Sequence, residues 1–173
     1  MDIENLKSYV HDVPDFPKAG ILFKDISPLL ASAKARKAML HQLSSNYNAK
    51  EIDVVVGIES RGFLFGMLLA DALDASFVML RKPNKLPGEI VKQTYDLEYG
   101  TDTVEIQKDA FKEGSRVLLH DDVLATGGTA GAAVQLIESL GGEIIEANFI
   151  MELDFLKGRE KLGSTLVHSL LHY

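Results

Sequence analysis

Two rhythms of apolar positions alternate along the chain. Ile52 to Ile58 reads as a continuous apolar strand, and Phe77 to Leu80, Val117 to His120 and Ile144 to Met151 repeat that pattern. Between them, Ser32 to Asn46 places Ala35, Ala38, Met39, Leu43 and Tyr47 on one helical stripe. Phe63 to Leu73 is a strongly apolar helix, and another helical segment follows Gly128 and ends near Leu140-Gly141-Gly142. Strands with no polar alternation are buried on both faces, so strand–helix alternation of this kind predicts an α/β protein with a parallel sheet. A last short strand is expected over Leu166 to Leu171.

Both ends of this block differ from it. Leu6, Tyr9, Val10 and Val13 predict a short amphipathic helix stopped by Pro14 and Pro17, followed by an irregular, proline-bounded arm reaching Phe23. From Lys82 to Glu113 the chain turns polar and carries Gly, Pro and Tyr with weak alternation. That stretch is either a mobile hairpin lid or an edge ornament.

With 173 residues, 46% of them apolar and 25% charged, the chain has room for a single domain with a sizeable core. A formal charge of −7 argues against a nucleic-acid backbone as partner, so an anionic ligand would need local devices to hold it. Zero cysteines exclude disulfides and thiolate metal sites and fit a reducing compartment. The first residues lack the basic and apolar regions of a leader, and no apolar run has membrane-spanning length. The expectation is a cytoplasmic protein without nucleic-acid or membrane partners.

The densest chemistry follows the third strand, in His120-Asp121-Asp122-Val123-Leu124-Ala125-Thr126-Gly127-Gly128-Thr129. Gly127 and Gly128 let the backbone turn tightly and approach an anion. Thr126 and Thr129 offer hydroxyl donors, and the following helix aims its first N–H groups at the same place. Asp121 and Asp122 would repel a phosphate, so their partners are donors such as ribose hydroxyls, or a divalent metal. No Lys follows the glycines as a Walker loop requires, and Thr126 stands where a dinucleotide fingerprint needs Gly. Glu59-Ser60-Arg61-Gly62 follows the first strand and Arg81-Lys82 the second. All three segments therefore reach the carboxyl edge of the sheet, where open parallel sheets bind ligands. His168 and His172, four apart, could hold a metal on a helix, but satisfied or exposed histidines are the better reading.

This segment resembles the phosphoribosyl pyrophosphate signature of the type I phosphoribosyltransferases. Asp15-Phe16-Pro17, Phe23-Lys24-Asp25-Ile26-Ser27-Pro28, Glu59-Ser60-Arg61-Gly62-Phe63, Arg81-Lys82, Lys85-Leu86-Pro87-Gly88, Leu97-Glu98-Tyr99-Gly100 and Lys157-Gly158-Arg159-Glu160-Lys161-Leu162 extend the resemblance, in order, to the adenine phosphoribosyltransferase family. It implies a type I phosphoribosyltransferase fold: an open, mostly parallel sheet flanked by helices, with a mobile β-hairpin loop. A small hood would come from an arm of about residues 1–30 and a C-terminal segment of about 152–173, all within one domain.

The implied reaction is Mg²⁺-dependent transfer of 5-phosphoribose from phosphoribosyl pyrophosphate to adenine, giving AMP and pyrophosphate in purine salvage, by a homodimer. Ala125, Thr126, Gly127, Gly128 and Thr129 would hold the 5-phosphate, and Asp121 and Asp122 the ribose hydroxyls. Ser60, Arg61, Arg81 and Lys85 would serve pyrophosphate, with Mg²⁺ held mainly by substrate and water. Adenine would lie between Phe23 and Leu153, its edge read by main-chain groups of Leu22 and Lys24. Glu98, beside Tyr99, would orient the base or accept its proton. His120 and Lys24 depart from the family pattern, which has an apolar residue and often Arg there. Two alternatives are transfer to another purine base and phosphoribosyl pyrophosphate sensing without turnover on the same fold.

Overall fold

The computed structural model describes residues 2–48, 51–96 and 100–173. They fall into two compact units, Met1–Gln42 and Leu43–Tyr173. In the first unit, α1 (Ile3–Lys7) starts on Asp2, whose carboxylate accepts the Asn5 N–H at 2.8 Å. The helix stops at Lys7, so Val10 and Val13 lie beyond it, contrary to the expectation from their spacing. The arm is not irregular either: β1 (His11–Pro14) and β2 (Leu22–Asp25) pair antiparallel, with Val13 opposite Phe23. After them come α2 (Ser27–Ala31) and α3 (Ala33–Ser44), within which the division of the chain falls.

The second unit is built on five parallel strands. In chain order they are β3 (Val54–Ile58), β4 (Ser76–Leu80), β7 (Arg116–Leu124), β8 (Glu143–Glu152) and β9 (Val167–His172), arranged β4-β3-β7-β8-β9. Every residue of β3 is buried, as its unbroken apolar run requires. Helix α4 (Gly62–Leu73) follows β3, and α5 (Gly128–Ser139) follows β7. One core face joins Val54, Val56, Leu119 and Phe149 of the sheet to Ala133, Leu136 and Ile137 of α5. Replacing such a buried Leu by Ala costs about 2–5 kcal/mol.

One departure from the sequence reading positions the site, and one expectation is met there. Strand β7 does not end at His120 but continues through Asp121 and Asp122 to Leu124, paired with β8 as far as Glu152. The stretch after Lys82 contains a true hairpin, β5 (Ile90–Asp96) antiparallel to β6 (Thr101–Gln107). The last short strand is present as β9, and it carries His168 and His172. Among the described residues, no helix is long and apolar enough to cross a membrane.

His120 is fully buried in β7, opposite Asn148 of β8. Its Nδ1 lies 3.1 Å from Asn148 Oδ1, while Asn148 Nδ2 donates to Tyr47 Oη at 3.0 Å and Tyr47 donates to Glu146. An amide oxygen only accepts, so His120 carries its proton on Nδ1. Nε2 is then a buried lone pair with no hydrogen-bond partner among the described residues. Burial lowers the His120 pKa to about 4, outweighing the Asn148 hydrogen bond and the Asp122 charge, which pull the other way.

The unfolded chain protonates this ring near 6.5. Stability from the neutral ring is therefore complete above that pH and drains as pH falls toward 4, by about 3 kcal/mol in all. Urea unfolding at pH 7 and 4.5 should show His120→Leu losing about 2 kcal/mol less than the parent chain over that interval. Equal losses would mean that His120 does not titrate as a buried neutral group.

Candidate active site

The strand order 2-1-3-4-5, counting only the five parallel strands, reverses direction between β3 and β7, and a crevice opens beyond their carboxyl ends. It is a cavity of about 350 Å³, walled by Glu59 to Arg61 after β3 and by Asp121 to Ala130 on β7 and its loop. That size suits a small ligand. Parallel pairing explains the convergence, because it brings the ends of both strands to one edge of the sheet.

The loop after β7 turns at Gly127, whose φ is 76°, a conformation costly for any residue with a Cβ. A Cβ there would also sit 2.1 Å from the Gly158 carbonyl oxygen, and one on Gly158 would sit 2.3 Å from that of Ala125. Two backbones thus meet face to face, which gives the Lys157-Gly158-Arg159 segment a structural purpose the sequence reading did not assign. Arg159 anchors that segment by donating from Nε to both Glu152 oxygens at 2.7 and 2.8 Å. Gly127 is also the N-cap of α5 and provides no side-chain cap. The first N–H groups of a twelve-residue helix therefore open on the cavity, with about half a positive charge at that end.

At the end of β7, Asp122 is only 3% exposed and accepts from Arg61 Nε. Asp121 accepts the Asp122 N–H at 2.9 Å. Burial, then the adjacent Asp122 charge, push the Asp121 carboxyl well above the usual carboxylate range, against the pull of that N–H and of Arg61. The pair is a set of oxygen acceptors whose charge is partly compensated.

Across the crevice, Glu59 gathers the cations that the sequence marked. Register pairs Ile58 with Leu80, so Glu59 and Arg81 leave adjacent strands side by side. Glu59 accepts from Arg81 Nε at 3.2 Å, from the Lys82 N–H at 2.9 Å and from the Lys85 ammonium. Burial raises its pKa, yet Lys85, the Lys82 amide and Arg81 outweigh that and hold it below the usual range. Glu59 has no role of its own in the sequence reading, because a strand-to-strand register is not legible locally. The Glu59–Ser60 peptide is cis.

Of the expected residues, Ser60, Arg61, Asp121, Asp122 and Ala125 to Thr129 line this one cavity. Arg81 and Lys85 reach its edge through Glu59. Leu22, Phe23 and Lys24 lie on β2 of the first unit, where Phe23 packs edge-on against Phe16 at 5.1 Å. Leu153 follows β8 in the second unit and donates its N–H to the Leu124 carbonyl at 3.0 Å. Glu98 and Tyr99 fall outside the described residues. Glu152, Asp154 and His172 bring ligand atoms within 4.8 Å of one another, but Arg159 occupies both Glu152 oxygens and His172 lies 2.9 Å from Asp154.

Residues 24–161 match the phosphoribosyl transferase domain. Over 173 residues, all of both chains, the sequence is 56% identical to an adenine phosphoribosyltransferase of Flavobacterium johnsoniae. The crystal structure of adenine phosphoribosyltransferase from Thermoanaerobacter pseudethanolicus superposes with a TM-score of 0.96 at 47% identity, covering 99% of this chain and 100% of that one. The Saccharomyces cerevisiae enzyme, complexed with D-2,5-dideoxy-2,5-imino-altritol 1,6-bisphosphate and adenine, gives 0.88 at 47% identity and 98% coverage of each chain. A five-stranded parallel sheet, the anion loop after its third strand and full-length similarity agree, and the chain belongs to the phosphoribosyl transferase domain family, as a member of its adenine phosphoribosyltransferase branch.

Proposed function

We propose that the chain transfers 5-phosphoribose from phosphoribosyl pyrophosphate to adenine, giving AMP and pyrophosphate, as a purine-salvage enzyme of one catalytic domain. One observation carries the reading: an uncapped helix start and two adjacent carboxylates line the same cavity at the switch point of the sheet. Donors suit a phosphate and acceptors suit hydroxyls, and the 5-phosphate and the ribose of this substrate present them one after the other.

In this reading the N–H groups of Gly127 to Thr129 and the threonine hydroxyls hold the 5-phosphate as a handle, which fixes C1 of the sugar for attack. Asp121 and Asp122 accept from the ribose 2- and 3-hydroxyls. The negative charge of Asp122 favours the positive charge that builds on the ring as the bond to pyrophosphate breaks. Arg61, with backbone groups of Ser60 and Gly62, receives the pyrophosphate, and Arg81 and Lys85 add charge when they exchange Glu59 for its oxygens. Glu98 and Tyr99 serve the reacting base, while Phe23, Leu153 and main-chain groups of Leu22 and Lys24 bind it. The adenine in the yeast enzyme supports the choice of base.

The wall offers carboxylate oxygens, the hard donors that Mg²⁺ prefers, without a closed protein cage, so the metal fits as a companion of the substrate. Bound Mg²⁺ supplies charge neutralisation to the departing pyrophosphate. The absence of cysteine supports work in the reducing cytoplasm.

A homodimer has support in α4. That helix is apolar nearly all round, leaving Leu64, Met67 and Leu68 exposed by 45%, 54% and 37%, with Met79 of the edge strand β4 exposed by 41%. Contiguous apolar surface of this kind marks an interface.

With Mg²⁺ and phosphoribosyl pyrophosphate, adenine should yield AMP at least about a hundredfold more efficiently than hypoxanthine, guanine or orotate, because a mismatched buried edge leaves polar groups unpaired. Comparable turnover of hypoxanthine would overturn the assignment of the base. Light scattering should give twice the 19.0 kDa chain mass, and Leu64→Glu with Met67→Glu should shift it to the monomer. A monomeric parent chain at micromolar concentration would refute the dimer.

A further inference from the structure

Among the described residues, three carboxylates are almost fully buried. Asp122 and Glu152 each accept from an arginine. The third, Glu105 of β6, is 7% exposed and accepts a main-chain N–H instead, that of Asn84 at 3.0 Å. Asn84 follows Pro83 and has a φ of 65°, the combination that suits a type II turn, and it stands directly before Lys85. The N–H of that third turn residue takes no part in the turn's own hydrogen bond, so it needs a partner outside it.

Two glutamates account for the main-chain donors from Arg81 to Asn84. Arg81 and Glu105 exchange main-chain bonds, the Arg81 N–H donating at 2.8 Å and the Glu105 N–H at 2.7 Å. The Lys82 N–H goes to Glu59 at 2.9 Å, Pro83 has none to give, and the Asn84 N–H goes to the Glu105 carboxylate. Lys85, just past the turn, is tied differently. Its ammonium lies on Glu59, and its carbonyl accepts from Arg81 Nη1 at 3.2 Å. Both ties use cationic groups that turn to pyrophosphate in the proposed reaction. The bond from Asn84 to Glu105 uses neither, so nothing in the reaction requires it to break.

We propose that Glu105 is a positioning residue whose carboxylate holds the Pro83-Asn84 turn at the cavity edge, so that Lys85 stays in reach of pyrophosphate after leaving Glu59. This rests on the reading of Lys85 as a pyrophosphate ligand. A long side chain presented from a fixed turn has less freedom to lose on binding than one presented from a loose loop. Glu105 acts here by accepting a hydrogen bond and not by its charge, and an amide oxygen in the same place accepts equally well.

The substrates serve as probes, because phosphoribosyl pyrophosphate and pyrophosphate carry the group that Lys85 meets, whereas adenine and AMP do not. Glu105→Met keeps most of the buried volume and removes the acceptor. In the forward and reverse reactions it should raise KM for phosphoribosyl pyrophosphate and pyrophosphate about fivefold, the cost of ordering one long side chain, and leave KM for adenine and AMP within about twofold. Glu105→Gln, which restores an acceptor without charge, should bring both raised values back to within about twofold of the parent chain. Lys85→Ala should raise the same two KM values, and adding Glu105→Met to it should change neither further. If Lys85→Ala raises them but Glu105→Met does not, or if Glu105→Met raises KM for AMP equally, adds fully to Lys85→Ala or is not rescued by Gln, the positioning role is wrong and Lys85 keeps its place. If Lys85→Ala leaves both values unchanged, the assignment of Lys85 falls, and the proposal with it. Amide exchange in the parent chain needs no variant: with Mg²⁺ and phosphoribosyl pyrophosphate bound, the Asn84 amide should exchange at least about tenfold more slowly than an open one. Free exchange of Asn84 in that complex would likewise overturn the proposal.

Discussion

The contact on which the site depends is the meeting of two backbones at Gly127 and Gly158. It allows the chain leaving β7 to turn in the left-handed region, begin α5 at once and leave that helix uncapped toward the crevice. Neither glycine tolerates a Cβ, since the opposing carbonyl oxygens stand 2.1 and 2.3 Å from where one would be. An anion site made of backbone has the advantage that its donors are already aimed, so little ordering remains when a phosphate arrives. In a chain of net charge −7 such a local device is also necessary.

Compensation of charge is the second theme. Asp122 is paired with Arg61, and Glu59 gathers Arg81, Lys85 and the Lys82 amide. A crevice dense in ionisable groups is thus held together without substrate, each cation engaged by a carboxylate that a more highly charged anion can displace. Burial of lone charges would otherwise cost several kcal/mol each.

Much of this was legible in the sequence, and the remainder was hidden for a common reason. The unbroken run of β3 announced a doubly buried strand, and the Asp-Asp to Gly-Gly-Thr order announced acceptors followed by donors. What stayed hidden joins distant positions. Strand β7 continues through Asp121 and Asp122 because β8 supplies its ladder as far as Glu152, while the polar side chains end the apolar pattern at His120. Val10 and Val13 have helical spacing, yet residues 11–14 pair with 22–25 instead. Glu59 beside Arg81, Gly127 against Gly158 and Asn84 on Glu105 are likewise products of register and packing. His120 stood out as a departure, but its fit needs Asn148 and Tyr47, which no local pattern connects to it.

Backbone hydrogen exchange measures the central claim most directly. Addition of phosphoribosyl pyrophosphate with Mg²⁺ should slow exchange at the amides of residues 125–130 and 60–62, while the amides of β9, remote from the cavity wall, keep their rates. Unchanged exchange at residues 125–130 under saturating ligand would contradict the account, because the substrate would then be held by something other than the open start of α5.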